Sequence, residues 1–148
     1  TWKDRQQPTQ NSSVAGKETP LGSFTPTIEK VSEDARGEIY VINLPDDQEL
    51  VLLHSAQGSL RGGHAHTCDE IVVMLTGNMA YHKKDDVQGK EWTDMVKGGE
   101  GSFNHAGVIH MGEFLSDSWL IEWKIGTRKG EWRNVNYNPW RERVNAAV

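Results

Sequence analysis

The sequence predicts an all-β fold, a barrel or sandwich of about nine short strands, and three observations predict it. Glycine accounts for 15 of 148 residues against a hydrophobic content of 36%, a turn-rich composition. β-Branched and aromatic residues gather in short runs bounded by Gly, Pro, Asp and Asn. Two of those runs, Trp92–Val96 and Ser118–Ile125, alternate with period two, as half-buried strands do. The chain is long enough for one domain with a real core.

Residues 1–27 are rich in Thr, Ser, Gln, Pro, Gly and Lys and have no hydrophobic period. Alone in water such an arm is disordered or extended. The expectation is that it lies along a neighbouring subunit or another protein, against the plainer reading that Trp2, Leu21 and Phe24 fold it back over its own barrel. The barrel is assigned to residues 28–126. Thr27–Val31 opens it as a first strand and Asp34–Gly37 is a turn. Glu38–Ile42 follows, then a turn at Pro45-Asp46-Asp47, then Glu49–His54. Ile71–Leu75 is a buried strand ended by Thr76-Gly77-Asn78, and Asn78–His82 is expected to be its hairpin partner. Lys83–Lys90 is polar and turn-forming, Trp92–Val96 is a strand, and Lys97–Gly101 is a glycine turn. His110–Leu115 and Ser118–Ile125 complete the set, the latter with Trp119, Ile121, Trp123 and Ile125 on one face. The tail, 127–148, is rich in aromatics. Asn138-Pro139 suits a helix start, with Asn as N-cap and Pro at the first helical position, so a short helix is expected from Pro139 to about Ala147.

Several function classes are set aside by composition. Net charge is −5 with no Lys/Arg cluster, which argues against a nucleic-acid groove. No apolar run is long enough for a membrane span and no signal-like segment opens the chain, so the expected location is the cytoplasm. Cys68, the single cysteine, excludes an internal disulfide framework and fits a reducing compartment.

The chemistry concentrates between Gly58 and Gly77. His64 and His66 are two apart, so on a strand both imidazoles point to one face. Glu70 brings a carboxylate four residues later, and Gly62-Gly63 permits a bend just before the pair. A second stretch, Gly99 to Glu113, makes tight turns and delivers His110 at the start of another apolar segment. These two stretches resemble the two motifs of the cupin superfamily. Gly58, His64, His66, Glu70 and Gly77 match the fixed positions of the first, and Gly99, Gly107 and His110 match the second. His105 stands where that pattern has Pro, and Phe114 where it has Asn. The resemblance implies a cupin-type jelly-roll β-barrel, to which composition and the Asn138-Pro139 signal add the extended N-terminal arm and the short C-terminal helix. It also implies a metal site of His64, His66, Glu70 and His110. The string Arg61–His66 is in addition similar to sugar-nucleotide ketoisomerases of the cupin class, in which the His pair serves proton transfer without metal.

Three imidazoles and one carboxylate suit a divalent transition metal, and ligand type does not choose among Fe, Mn, Ni, Cu and Zn. Cys68 is read as a small packed side chain. Arg61 is a candidate for an anionic substrate, against the commoner outcome of a surface arginine beside a turn. One of Tyr81 and His82 is expected to point into the barrel as a candidate acid or base. The direction of His105 is open, and His54 is read as structural. The favoured function is a metal-binding protein acting on a small molecule, by oxygenation, isomerisation or hydrolysis. Its alternatives are a non-enzymatic binding module and an assembly protein fastened by its N-terminal arm. A homo-oligomer, dimer or higher, is expected in each case.

Overall fold

A computed structural model describes residues 22–136. The expected arm and the expected helix from Pro139 fall, for the most part, outside the described residues. The chain forms β1 (Thr27–Asp34), β2 (Gly37–Asn43), β3 (Glu49–Ser55), β4 (Leu60–His66), β5 (Asp69–Thr76) and β6 (Asn78–Asp85). It continues with β7 (Lys90–Lys97), β8 (Gly101–Asn104), β9 (Ile109–Phe114), β10 (Ser118–Ile125) and β11 (Asn134–Asn136). No helix among these residues is long and apolar enough to cross a membrane.

The strands form two antiparallel sheets, ordered β1-β2-β3-β10-β5-β8 and β11-β4-β9-β6-β7. Most turns follow sequence chemistry. Asp46 and Asp47 both take positive φ, the left-handed conformation that Asp tolerates better than most residues.

One connection differs from expectation. Asn78–His82 is not the hairpin partner of Ile71–Leu75: β5 lies in the first sheet, whereas β6 pairs with β7 and β9 in the second. The chain changes sheets at Gly77, which has φ +92°. A Cβ there would sit 2.1 Å from Ser118 Oγ and 2.6 Å from the Asp117 carbonyl oxygen. A hairpin would leave room for a side chain; this crossing does not. Two strands were not anticipated. β8 hides inside the glycine-rich stretch and pairs Phe103 with Ile71. β11 lies in the tail and pairs with β4, Asn134 opposite His66.

The facing sheets enclose a core of Leu53, Val72, Met74, Met79, Tyr81, Val96, Phe114 and Leu120. Alternation on β10 runs opposite to the usual sense. Trp119, Ile121, Trp123 and Ile125 do share a face, but Trp123 and Ile125 are exposed on it. The inward face carries buried Leu120 and Lys124, with Glu122 between them facing the interior cavity. Charged groups therefore enter the barrel from a strand whose outer face is apolar. The interior is divided into an apolar half and a polar half.

Candidate metal centre

The polar half is built mainly by β4 and β9, which pair so that His64 lies opposite His110. His64 and His66 share a face by their spacing. The Gly107 N–H donates to the His66 carbonyl at 2.9 Å, fixing the turn that brings in β9. The ring centroids of His64, His66 and His110 lie 4.7, 4.8 and 5.0 Å apart, almost an equilateral triangle. One nitrogen of each can be chosen so that all lie within 4.8 Å of one another, close enough to share a metal ion.

Two of the rings are oriented from behind. His66 Nδ1 is 2.6 Å from Asn134 Oδ1, and His110 Nδ1 is 3.2 Å from the Val108 carbonyl. Both partners are oxygens that only accept, so each Nδ1 carries the proton and each Nε2 presents a lone pair. Burial, then the neighbouring imidazoles His110 and His66, pushes His64 down to about 3. Burial likewise pushes His110 down to about 4. Neutral imidazole is the form that binds metal.

Glu70 stands behind this triangle on β5, fully buried. Its Oε2 is 3.1 Å from His66 Nε2 and 3.0 Å from Lys124 Nζ; its Oε1 is 3.6 Å from His110 Nε2. Asn104 Nδ2 donates to Oε1 at 3.3 Å. Burial works to raise the Glu70 carboxyl, but the His66 contact and the Lys124 charge outweigh it and hold it well below the usual carboxylate range. His66 Nε2 and Glu70 Oε2 are buried with no well-directed hydrogen bond. His66 Nε2 lies 3.1 Å from Glu70 Oε2, and Lys124 Nζ already sits 3.0 Å from that oxygen. With Nδ1 bonded to Asn134, the buried Nε2 is the atom left to face a cation beside a carboxylate that is held charged, so these residues fit a metal ion.

A cavity of about 260 Å³ opens beside the triangle. His64, His110, Tyr81, Arg61 and Glu122 contribute its polar wall, and Leu53, Met79 and Phe114 are among its apolar members. Tyr81 points inward, 3% exposed, with its ring edge-on to His110 at 5.7 Å. Asn104 Nδ2 donates to its hydroxyl oxygen at 2.7 Å, and burial together with the Glu70 charge holds the phenol proton on. Burial and then the Glu70 charge push Glu122 up to about 8.

The other sequence candidates lie elsewhere. His82 faces away from the barrel interior, bonded to Thr93 Oγ1 at 3.0 Å and Glu113 Oε2 at 2.9 Å. Alternation on β6 allows only one of Tyr81 and His82 inside, and it is Tyr81. His105 is exposed, its ring against Phe103. His54 is on the outer face, stacked on Trp119 and bridged to Glu38 and Asp117. Cys68 is half-buried.

Sequence reasoning missed Asn134, Lys124, Glu122, Asn104 and Trp132. Trp132 packs edge-on against His66 at 5.5 Å, and Lys124 Nζ lies 4.1 Å from the centre of its ring. Of these, only Lys124 and Glu122 left a signal: two charges interleaved with Ile121, Trp123 and Ile125.

Among solved structures the chain is similar to the Drosophila melanogaster CENP-C cupin domain, with TM-score 0.54 and 12% identity over 67% of this chain and 74% of that one. The fold is that of the cupins. The capsular polysaccharide assembling protein CapF from Staphylococcus aureus matches with TM-score 0.62 and 20% identity, over 78% of this chain and 32% of CapF. This chain thus spans about a third of the CapF chain. KdgF from Halomonas sp. matches with TM-score 0.55 and 15% identity, over 68% of this chain and 88% of KdgF. No family model and no curated protein matches the sequence.

Proposed function

We propose that this cupin binds a divalent transition metal through His64, His66 and His110, with Glu70 as fourth ligand, and acts on a small molecule held in the adjoining cavity. One observation carries the reading: three imidazoles whose ring nitrogens converge, with the buried Nε2 of His66 left without a hydrogen bond beside the Glu70 carboxylate. A bound metal would supply Lewis acidity or activation of a bound water or dioxygen. The chain's own groups would do the rest. Asn134 and the Val108 carbonyl would hold two imidazoles with Nε2 forward. Asn104 would tie the Glu70 carboxylate to the Tyr81 hydroxyl. Tyr81 would keep a proton available beside the cavity, and the apolar residues around it would limit water.

The ketoisomerase-like alternative, proton transfer by the His pair without metal, fits less well. Both His66 and His110 have their Nδ1 committed behind them, and the forward Nε2 atoms converge with Glu70. A second reading, a barrel used as a building block, is favoured by one observation. The outer face of the six-stranded sheet exposes Val73, Leu75, Phe103, Trp123 and Ile125 together, an unusual amount of apolar surface for one sheet face.

Elemental analysis of protein purified without added metal, beside His110→Ala, tests the proposal. Near-stoichiometric metal, lost in the variant, is the expected result. Metal that survives His110→Ala overturns the ligand assignment. An empty site in both samples moves the reading to the building block.

A further inference from the structure

Arg61 is a buried charge that the metal centre does not use. Arginine is rarely buried without a carboxylate partner, because a desolvated guanidinium needs its charge answered. Arg61 is 8% exposed, and no carboxylate among the described residues pairs with it. Its Nε donates to Ser55 Oγ at 2.7 Å and its Nη2 to the His54 carbonyl at 3.1 Å, both neutral acceptors. Nη1 has no hydrogen-bond partner among the described residues and is not sealed off, since Arg61 lines the cavity beside the histidines. The neighbouring guanidinium on the same wall differs. Arg36 is already answered by Asp34, with Nη2 to Oδ2 at 2.7 Å and Nε to the same carboxylate at 3.2 Å. Glu122 lines the cavity too and, with Asp34 and Glu38, acts on Arg61 through its charge, but none of the three is close enough to form an ion pair with it.

The backbone shows how Arg61 reaches this position. Residues three apart on a regular strand point to opposite faces. The β4–β9 register shifts between Gly62 and His64, a bulge that adds one residue to β4. Gly62 and Gly63 have φ +97° and +85°, which a side chain would strain. A Cβ on Gly62 would also lie 2.7 Å from the His110 carbonyl oxygen. The bulge thus turns Arg61 to the same interior as His64, although their spacing alone would separate them.

We infer that the cavity takes a small carboxylic acid whose carboxylate is received by Arg61, with the rest of the molecule lying along the apolar wall toward the three histidines. A planar carboxylate matches the free edge of a guanidinium that two neutral acceptors already hold in place. A cavity of about 260 Å³ suits a compact ligand. The inference deepens the small-molecule reading above and rests on it for the role of the histidines, but not for the binding of the carboxylate.

Calorimetric titration of the purified, metal-analysed protein with straight-chain C4 to C8 monocarboxylates and dicarboxylates, and with the matching neutral amides, tests it. The expected result is saturable binding of at least one carboxylate, weaker by about tenfold to a hundredfold for its amide and in Arg61→Met. Arg61→Lys, which keeps the charge but not the fork, falls between Arg61→Met and the wild type. Ser55→Ala, which frees Nε, weakens binding less than Arg61→Met while leaving the charge in place. Thermal melts and metal content unchanged from wild type identify folded variants with an intact histidine site. Equal binding of acid and amide, undiminished binding in folded Arg61→Met, or no binding of any probe overturns the inference. Carboxylate binding without metal would sustain it while refuting the metal site.

Discussion

Asn134 offers the sharpest test of how the fold serves the site. It comes from a three-residue strand in the tail, 68 residues beyond His66, and its Oδ1 accepts from His66 Nδ1 at 2.6 Å. Asn134→Ala removes that acceptor while leaving the β11 backbone pairing to β4 available. The ring then loses its tautomer preference and its orientation. Losing such a supporting partner typically costs tenfold to a hundredfold in metal affinity, or about 1.4–2.7 kcal/mol. Competition of the protein with a chromophoric chelator for Zn(II) or Co(II) measures this directly. Asn134→Asp keeps the acceptor and adds a charge, so its affinity should equal or exceed that of the wild type. Val135→Ala changes the neighbouring side chain, 52% exposed, and should have no effect. Wild-type affinity in a folded Asn134→Ala would refute the argument. An equal loss in Val135→Ala would show that docking of the tail, rather than the hydrogen bond, is what matters.

Two further outcomes are expected. Gly62→Ala forces a Cβ against the His110 carbonyl at positive φ, so chemical denaturation should show a loss of at least about 2 kcal/mol, with reduced metal content; a wild-type midpoint would refute the bulge argument. In the metal-free protein, His64 at about 3 and His110 at about 4 lie below the ordinary 6.5. The unfolded chain then binds more protons below pH 6.5, and stability falls on acidification from 6.5 toward 4, by on the order of 1–2 kcal/mol per histidine by pH 5. Glu122, raised to about 8, works the other way, since the folded state holds its proton and stability falls as pH rises from 4.5 through 8. Thermal melts in EDTA across pH 5 to 9 should therefore peak near neutrality, about pH 6–7; stability that climbs steadily to pH 9 would refute the assignment of Glu122.

The legible part of this protein is the part encoded at short range. Alternation places His64 beside His66, and glycine and aspartate mark most turns. What remained hidden depends on partners far along the chain. Asn134 gives no local sign that it will lie opposite His66. The role of Gly77 could not be read as a sheet crossing, because a hairpin turn also accepts glycine; the difference is Ser118, 41 residues on. β10 shows the limit of pattern reading most plainly. Period two identified the strand, but apolar residues usually mark the inward face. Here the interior is a polar site, so the phase is reversed: Glu122 and Lys124 enter the barrel while Trp123 and Ile125 remain outside.

That reversal and the Gly62–Gly63 bulge act together. A jelly roll filled only by apolar side chains has no use for charge inside. This barrel admits Lys124 and Glu122 from one sheet, and His64, His66, His110 and Arg61 from the other. Among the described residues, each buried lysine finds a carboxylate that answers it. Lys124 has Glu70 and the face of Trp132, and Lys83 has Asp94 beside Ser102 and the Phe103 carbonyl. Arg61 has hydrogen bonds to neutral oxygens only. The glycine pair that brings it inside is the same pair that leads into His64, so one local irregularity sets both the anion-facing guanidinium and the first imidazole of the cluster. Their separation is fixed by the backbone rather than by a flexible loop. A ligand spanning the two is therefore selected by its length as well as by its charge.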